Sequence, residues 1–204
     1  LGQNDLDRTG ERARGANDAR HRFTIGYIWE VPFGKGKKWA TQGGAANTIL
    51  GGWKVTGNTS FQTGFPITVF TSNDVANVVT GAWRPDRTCN GSLPPGDRTV
   101  ERWFDASCFT DEFLLADLAA GNPRFGNSGR SILDGPGFQN WDIGLLKDFS
   151  FGERLTMQFR AEFFNAFNMA HFDDPVRDVT DSSIGQIFGA SEPRNIQFGL
   201  KFLW

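Results

Sequence analysis

The stretch Asn195-Ile196-Gln197-Phe198-Gly199-Leu200-Lys201-Phe202-Leu203-Trp204 decides the fold. Ile196, Phe198, Leu200, Phe202 and Trp204 fall on one side of an extended chain, and Gln197, Gly199 and Lys201 on the other. That is the period-two pattern of a strand with one apolar face. A water-soluble domain rarely stops mid-strand on its most apolar residue. An aromatic side chain there suits the boundary between hydrocarbon and water.

Four more segments upstream carry the same alternation. His21 to Phe33 sets Phe23, Ile25, Tyr27, Trp29, Val31 and Phe33 against Thr24, Gly26 and Glu30. Gly52 to Thr71 does so with Trp53, Val55, Thr59, Phe61, Phe65, Ile67 and Val69, and Pro66 predicts a bend or an edge within it. Gln139 to Phe151 and Arg154 to Phe167 follow, the latter placing Leu155, Met157, Phe159, Ala161, Phe163 and Phe167 opposite Thr156, Gln158, Arg160 and Glu162. Counted with residues 195–204, these make an all-β chain, an antiparallel meander of about five long amphipathic strands.

The connections alternate in length. A tight turn near Gly152-Glu153 joins the third and fourth strands, and a Gly- and Lys-rich stretch, 34–49, joins the first and second. Residues 72–138 and 168–194 separate the other pairs. Short turns on one side and long loops on the other are the habit of outer-membrane β-barrels, whose strands face lipid with their apolar side and the lumen with their polar side. With Trp204 on the periplasmic side, both long loops fall outside the cell. The loop 72–138 is too long to be structureless, and a helical turn within Glu101 to Phe109 and a short helix over Asp111 to Ala120 are expected there.

Composition agrees with a strand-built span. Mean hydropathy is −0.38, and the chain has no run of about 20 apolar residues of the kind a spanning helix needs. The 25 Gly, and the 20 Phe and 7 Trp against one Tyr, are the unusual numbers. A net charge of −2, with basic residues scattered, argues against a nucleic-acid partner. Its densest basic run, Lys35-Gly36-Lys37-Lys38, reads as a solvated turn. Leu1 in place of Met implies that the chain begins inside a larger product or after processing, so 1–204 is read as one segment of it.

No catalytic constellation stands out, and the chain is not expected to be an enzyme or to need a cofactor. Ser128 and Ser131 have no partnered His, and Asp173-Asp174 after His171 reads as a turn and not a metal site. Cys89 and Cys108 are expected to form a disulfide in an oxidising compartment, closing a loop of about 20 residues worth about 3 kcal/mol, with two unpaired thiols as the alternative. Phe159, Phe163, Phe198, Phe202 and Trp204 are the candidate lipid-facing or subunit-packing residues. Asp142, Arg160, Glu162 and Lys201 share the polar face and are expected to form cross-strand ion pairs on the lumen side. Trp83, Trp103 and Phe104 either stack on a ligand or build the outer loop's own core.

In its motifs the chain resembles the C-terminal barrel region of TonB-dependent outer-membrane receptors of the Oar-like group. The resembling stretches include Arg22-Phe23-Thr24 through Val31-Pro32-Phe33-Gly34-Lys35-Gly36-Lys37, Gly51-Gly52-Trp53-Lys54-Val55, and Gln62-Thr63-Gly64-Phe65-Pro66-Ile67-Thr68. Further along come Arg84-Pro85-Asp86, Trp103-Phe104-Asp105, Cys108-Phe109, Gly126-Asn127-Ser128-Gly129-Arg130, Gly135-Pro136-Gly137 before Asn140-Trp141-Asp142, and Arg160-Ala161-Glu162-Phe163-Phe164-Asn165-Ala166-Phe167-Asn168. The resemblance spans nearly the whole chain. It implies a 22-stranded barrel, a plug and a contact with the TonB protein, and a role in ligand capture and uptake across the bacterial outer membrane.

Five strands cannot close a lumen, and open edges in lipid leave backbone groups unpaired. The edges are expected to be met by remaining strands of the parent barrel or by further copies of this chain. In the second case a released fragment would self-assemble through its β-edges into an extracellular tube or filament. A soluble glycan-binding β-domain is a third possibility; it would bury Phe159 and Phe163 within one subunit.

Overall fold

The computed structural model describes residues 2–4, 8–34, 36–39, 44–78, 83–152 and 155–204, without the side chains of Ala45 and Ala46. Among these the strands are β1 (Arg22–Glu30), β2 (Trp53–Gln62), β3 (Pro66–Ile67), β4 (Asp86–Arg87), β5 (Phe109–Thr110), β6 (Leu133–Asp134), β7 (Phe138–Phe151), β8 (Leu155–Phe164) and β9 (Asn195–Leu203). The α-helices are α1 (Ala45–Leu50) and α2 (Glu112–Ala119). No described helix is long and apolar enough to cross a membrane, which leaves crossing by strands untouched. The chain divides into two compact units.

One unit comprises His21–Gln62, Phe138–Ala170 and Glu192–Trp204. It is a five-stranded sheet in the order β1-β2-β7-β8-β9, antiparallel at every junction. The register carries each face across all five strands. Ala161, for example, lies between Leu145 and Phe198, whereas Glu162 lies between Gly144 and Gln197. A slip of one residue anywhere would exchange the two faces of that strand.

The other unit comprises Leu1–Arg20, Thr63–Gly137 and His171–Ser191. Its core gathers Ile67, Val69, Phe104, Cys108, Phe109 and Leu133, with Phe104 set edge-on to Phe109 at 5.9 Å. Cys89 and Cys108 form a disulfide with their Cα atoms 4.9 Å apart. The helix expected over Asp111 to Ala120 is present as α2, and a 3-10 turn, Ala106–Cys108, falls inside the segment where a helical turn was expected.

Two guanidinium contacts tie distant segments of this unit together, one from the buried Arg84 and one from the exposed Arg124 to a buried Asp86. Arg84 donates to both Glu11 oxygens, at 2.7 and 3.1 Å, and to the Ser128 carbonyl at 2.8 Å. Arg124 makes a bidentate pair with Asp86, at 2.7 and 3.1 Å, and Asp86 also accepts the Asn127 N–H at 3.1 Å. Burial by itself would raise the Asp86 carboxyl, but Arg124 and the Asn127 amide outweigh it and hold the pKa below its ordinary 3.8. For Glu11 the Arg84 hydrogen bonds dominate, and its carboxyl lies below the ordinary 4.5.

The second strand is shorter than its alternation implies. β2 ends at Gln62 instead of continuing to Thr71, because Gly64 and Pro66 break the ladder; Pro66–Ile67 becomes β3 and pairs with β6. Ile67 and Val69 are buried in the core around Phe104 and do not extend the apolar face of β2. At Gly64 two backbones cross: a Cβ there would sit 1.9 Å from the Gly135 carbonyl oxygen, beside the 2.8 Å bond from Gly135 N–H to the Phe65 carbonyl.

Elsewhere the strand limits move less. β1 stops at Glu30, before Pro32, although Val31 N–H still reaches the Trp53 carbonyl at 3.0 Å. β8 stops at Phe164 instead of Phe167. There Asn165 takes a left-handed φ of 50°, and its side chain bonds Met169 at both N–H and C=O, turning the chain away. Lys35, Glu153 and Arg154, part of the expected basic turn, the tight turn and the fourth strand's start, lie outside the described residues.

Gly64→Ala is expected to cost about 3 kcal/mol, the upper range for forced overpacking, because backbone must move; urea melts followed by near-UV circular dichroism would measure it. The depressed Asp86 and Glu11 carboxyls contribute stability that is complete above their ordinary pKa values and lost as the pH falls below them. Asp86→Asn should therefore lower stability by about 2 kcal/mol at pH 7 and flatten the loss between about pH 4 and pH 2, read by thermal melts across that range.

Candidate functional site

The sheet offers two chemically distinct surfaces. On the apolar one, Phe159 stacks on Phe198 with ring centroids 6.1 Å apart. Phe61, Trp141 and Phe167 form a chain of edge-on contacts at 5.5 Å each. Phe163 lies opposite Ile196, and Phe202 opposite Met157. Phe198 is 70% exposed and Trp204 95%. A face this apolar and this open needs a non-aqueous neighbour.

The opposite surface is polar, and a cleft of about 490 Å³ runs across it, bordered by Gly26, Thr56, Asn58, Asp142, Gly144 and Glu162. Gly26 and Gly144, which share the polar face by register, border this cleft. The polar candidates do sit on one face, but their contacts differ from a cross-strand ion ladder. Arg160 bonds Glu162 along its own strand at 2.9 Å, and the link to β9 is an amide, Gln197 donating to Glu162 at 2.7 Å. Asp142 accepts the Asn165 N–H at 3.0 Å and so fixes the turn after β8. Lys201 lies opposite Gln158, and among the described residues Lys54 and Asp148 form a cross-strand ion pair on this face at 3.2 Å.

The remaining candidates resolve into structure. Phe104 is buried and Trp103 packs against the same core, its indole N–H donating to the Asp134 carbonyl at 2.9 Å. Ser128 is buried, and His171 Nδ1 lies 3.1 Å from the Ser191 hydroxyl. Among the described residues no three His, Cys, Asp or Glu side chains gather as a metal site would require.

Residues 2–197 match the model of the outer membrane beta barrel domain. The chain belongs to that family. No curated protein and no solved structure matches it. Family membership identifies the two surfaces: in an outer-membrane barrel the apolar band meets lipid and the polar side faces the interior. The sheet is accordingly part of a barrel protein of the bacterial outer membrane.

Sequence reading missed two features. Lys147 occupies an apolar-face position of β7 between Leu145 and Phe149, and the only sign of it was a charged residue in an otherwise regular alternation. The guanidinium pairs at Glu11 and Asp86 join residues tens of positions apart, and no local pattern announces them.

Phe198→Arg is expected to cost about 2–4 kcal/mol of folding into a bilayer if Phe198 lies near the midplane, whereas Gln197→Arg on the polar face should change little. Folding into lipid vesicles, followed by heat-dependent gel mobility, separates the two.

Proposed function

We propose that this barrel segment is the C-terminal part of a TonB-dependent receptor of the Oar-like group, which takes up a ligand across the outer membrane. The observation that carries the reading is the pattern of connections. β2 ends, β7 begins, β8 ends and β9 begins at the end of the sheet marked by the pairs Arg22–Gln62 and Phe164–Asn195. The long segments 63–137 and 165–194 leave from there, while 31–52 and 152–154 connect strands at the opposite end. With the second end periplasmic, the long connections face the medium, and the Cys89–Cys108 disulfide lies where thiols are oxidised. The motif order described above supports the finer assignment to the receptor group.

The partners follow from strand direction. Every junction is antiparallel, so β1 and β9 run the same way at the two edges. Copies arranged around a common axis would bring β9 against β1 in parallel, and copies related by a two-fold axis normal to the sheet would point their long connections to opposite sides. An odd number of further strands from the same barrel meets both edges antiparallel. A self-assembled tube or filament is the second reading, favoured by β9, exposed at every residue, and by its bare edge.

Ligand uptake by cells expressing the whole receptor tests the first reading. Uptake should stop when TonB is deleted or the proton gradient is collapsed, and uptake that persists in both cases would exclude it. Ordered tubes of the isolated chain in the absence of detergent, seen by electron microscopy, would favour the second.

A further inference from the structure

Lys147 is the charge that the barrel's apolar face does not explain. It is 3% exposed and donates to the Gly51 carbonyl. Its ammonium lies 4.9 Å from the Phe149 ring centre and 5.9 Å from that of Trp53. Across the ladder its neighbours are Trp53 and Phe159. The adjacent carboxylate, Asp148, belongs to the polar face, where it is engaged by Lys54 at 3.2 Å and Gln158 at 2.8 Å. Among the described residues, none of the side chains flanking Lys147 on the apolar face carries a negative charge. One carbonyl and two aromatic faces offset part of the cost of burying an ammonium there, and the nearby charge of Asp148, already engaged by Lys54, balances it only in part.

A cavity of about 360 Å³ borders this lysine. Its walls include Lys37, Thr48, Phe149, Phe151, the glycines Gly51 and Gly52, and Asp148, the carboxylate engaged by Lys54. Lys37 carries a second positive charge, bonded at 2.6 Å to the exposed Glu30. On the apolar face Phe149 and Phe151 lie between the cavity and the end of β7, and Leu145 and Phe159 lead from Lys147 toward the middle of the sheet. Two cations and a hydroxyl beside an apolar sheet face suit a ligand with a compact anion at one end and hydrocarbon at the other.

We propose that Lys147 and this cavity hold the phosphate of a lipid headgroup at the barrel rim. The phosphate oxygens accept from the ammonium protons of Lys147 not used by Gly51, with Lys37 and Thr48 as further donors, and an acyl chain lies along Leu145 and Phe159, toward the middle of the bilayer. The site rests on the apolar face meeting lipid. It is independent of which ligand the barrel transports.

The test uses the whole barrel protein, extracted from outer membranes in mild detergent, with native mass spectrometry counting the phospholipid that stays bound. Lys147→Met keeps the stem and removes the charge, and Lys201→Met on the polar face is the comparison. Retained phospholipid is expected to fall about tenfold in Lys147→Met, to persist in Lys147→Arg and Lys201→Met, and to resist excess inorganic phosphate. Equal retention in wild type and Lys147→Met would overturn the site, and displacement by inorganic phosphate would assign it to free phosphate instead of lipid. Should Lys147→Met fail to reach the membrane, the double variant Lys37→Met/Thr48→Val at the cavity wall decides, with unchanged retention overturning the proposal. A wild-type protein missing from the outer-membrane fraction would refute the barrel itself, which is a different failure.

Discussion

Backbone hydrogen bonding is the constraint on which the sheet depends. In hydrocarbon there is no water to take an unpaired N–H or C=O, so a spanning strand must be paired on both sides. β2, β7 and β8 meet this requirement within the chain, whereas β1 and β9 meet it on one side only. The alternation of side chains follows from the same extended backbone. Once the ladders are in register, alternate residues of each strand are delivered to opposite surfaces, and most of the apolar ones share one of them, with Lys147 an exception on that side. The barrel's two environments are thus assigned by pairing, and the side chains only confirm the assignment.

The second compact unit is held by other means. Its core is small, and it draws on three separate segments of chain, so hydrophobic burial alone leaves much of it under-determined. The guanidinium pairs and the disulfide supply the missing specification. A buried ion pair adds little net stability over a well-packed apolar pair. It does demand a particular partner, since an Arg84 without Glu11 would be a charge stranded out of water. Such contacts decide which stretch of a long connection lies against which.

How much of this was legible in the sequence depends on how local the signal is. β7, β8 and β9 could be read from alternation alone, because period-two patterning is a property of consecutive residues. The end of β2 could not be read that way. Phe65, Ile67 and Val69 continue the alternation past Gln62, but the chain has already left the sheet. What ends the strand is the crossing of Gly64 and Gly135, a contact between residues far apart in sequence. The polar face was recognised as a set of residues, yet their pairing was not: Arg160 reaches along its own strand to Glu162 because Gly199, directly across, offers no side chain. The disulfide expected between Cys89 and Cys108 is present, with their Cα atoms 4.9 Å apart.

The order of the strands also bears on how the sheet can form in time. β7 and β8 are joined through residues 152–154 alone, so their ladder closes a minimal loop and can zip from the turn. β2 must find β7 across residues 63–137, and β9 must find β8 across 165–194. The chain entropy lost grows only slowly with loop length, by about 0.6 kcal/mol for each doubling. The search itself is slower for distant pairs. The β7–β8 hairpin is therefore the natural nucleus, with β9 and then β2 adding to its flanks. In that sequence of events the long connection before β7 acts as a timer: the more quickly it compacts and its cysteines join, the shorter the period during which the β7 edge stands open to the wrong strand.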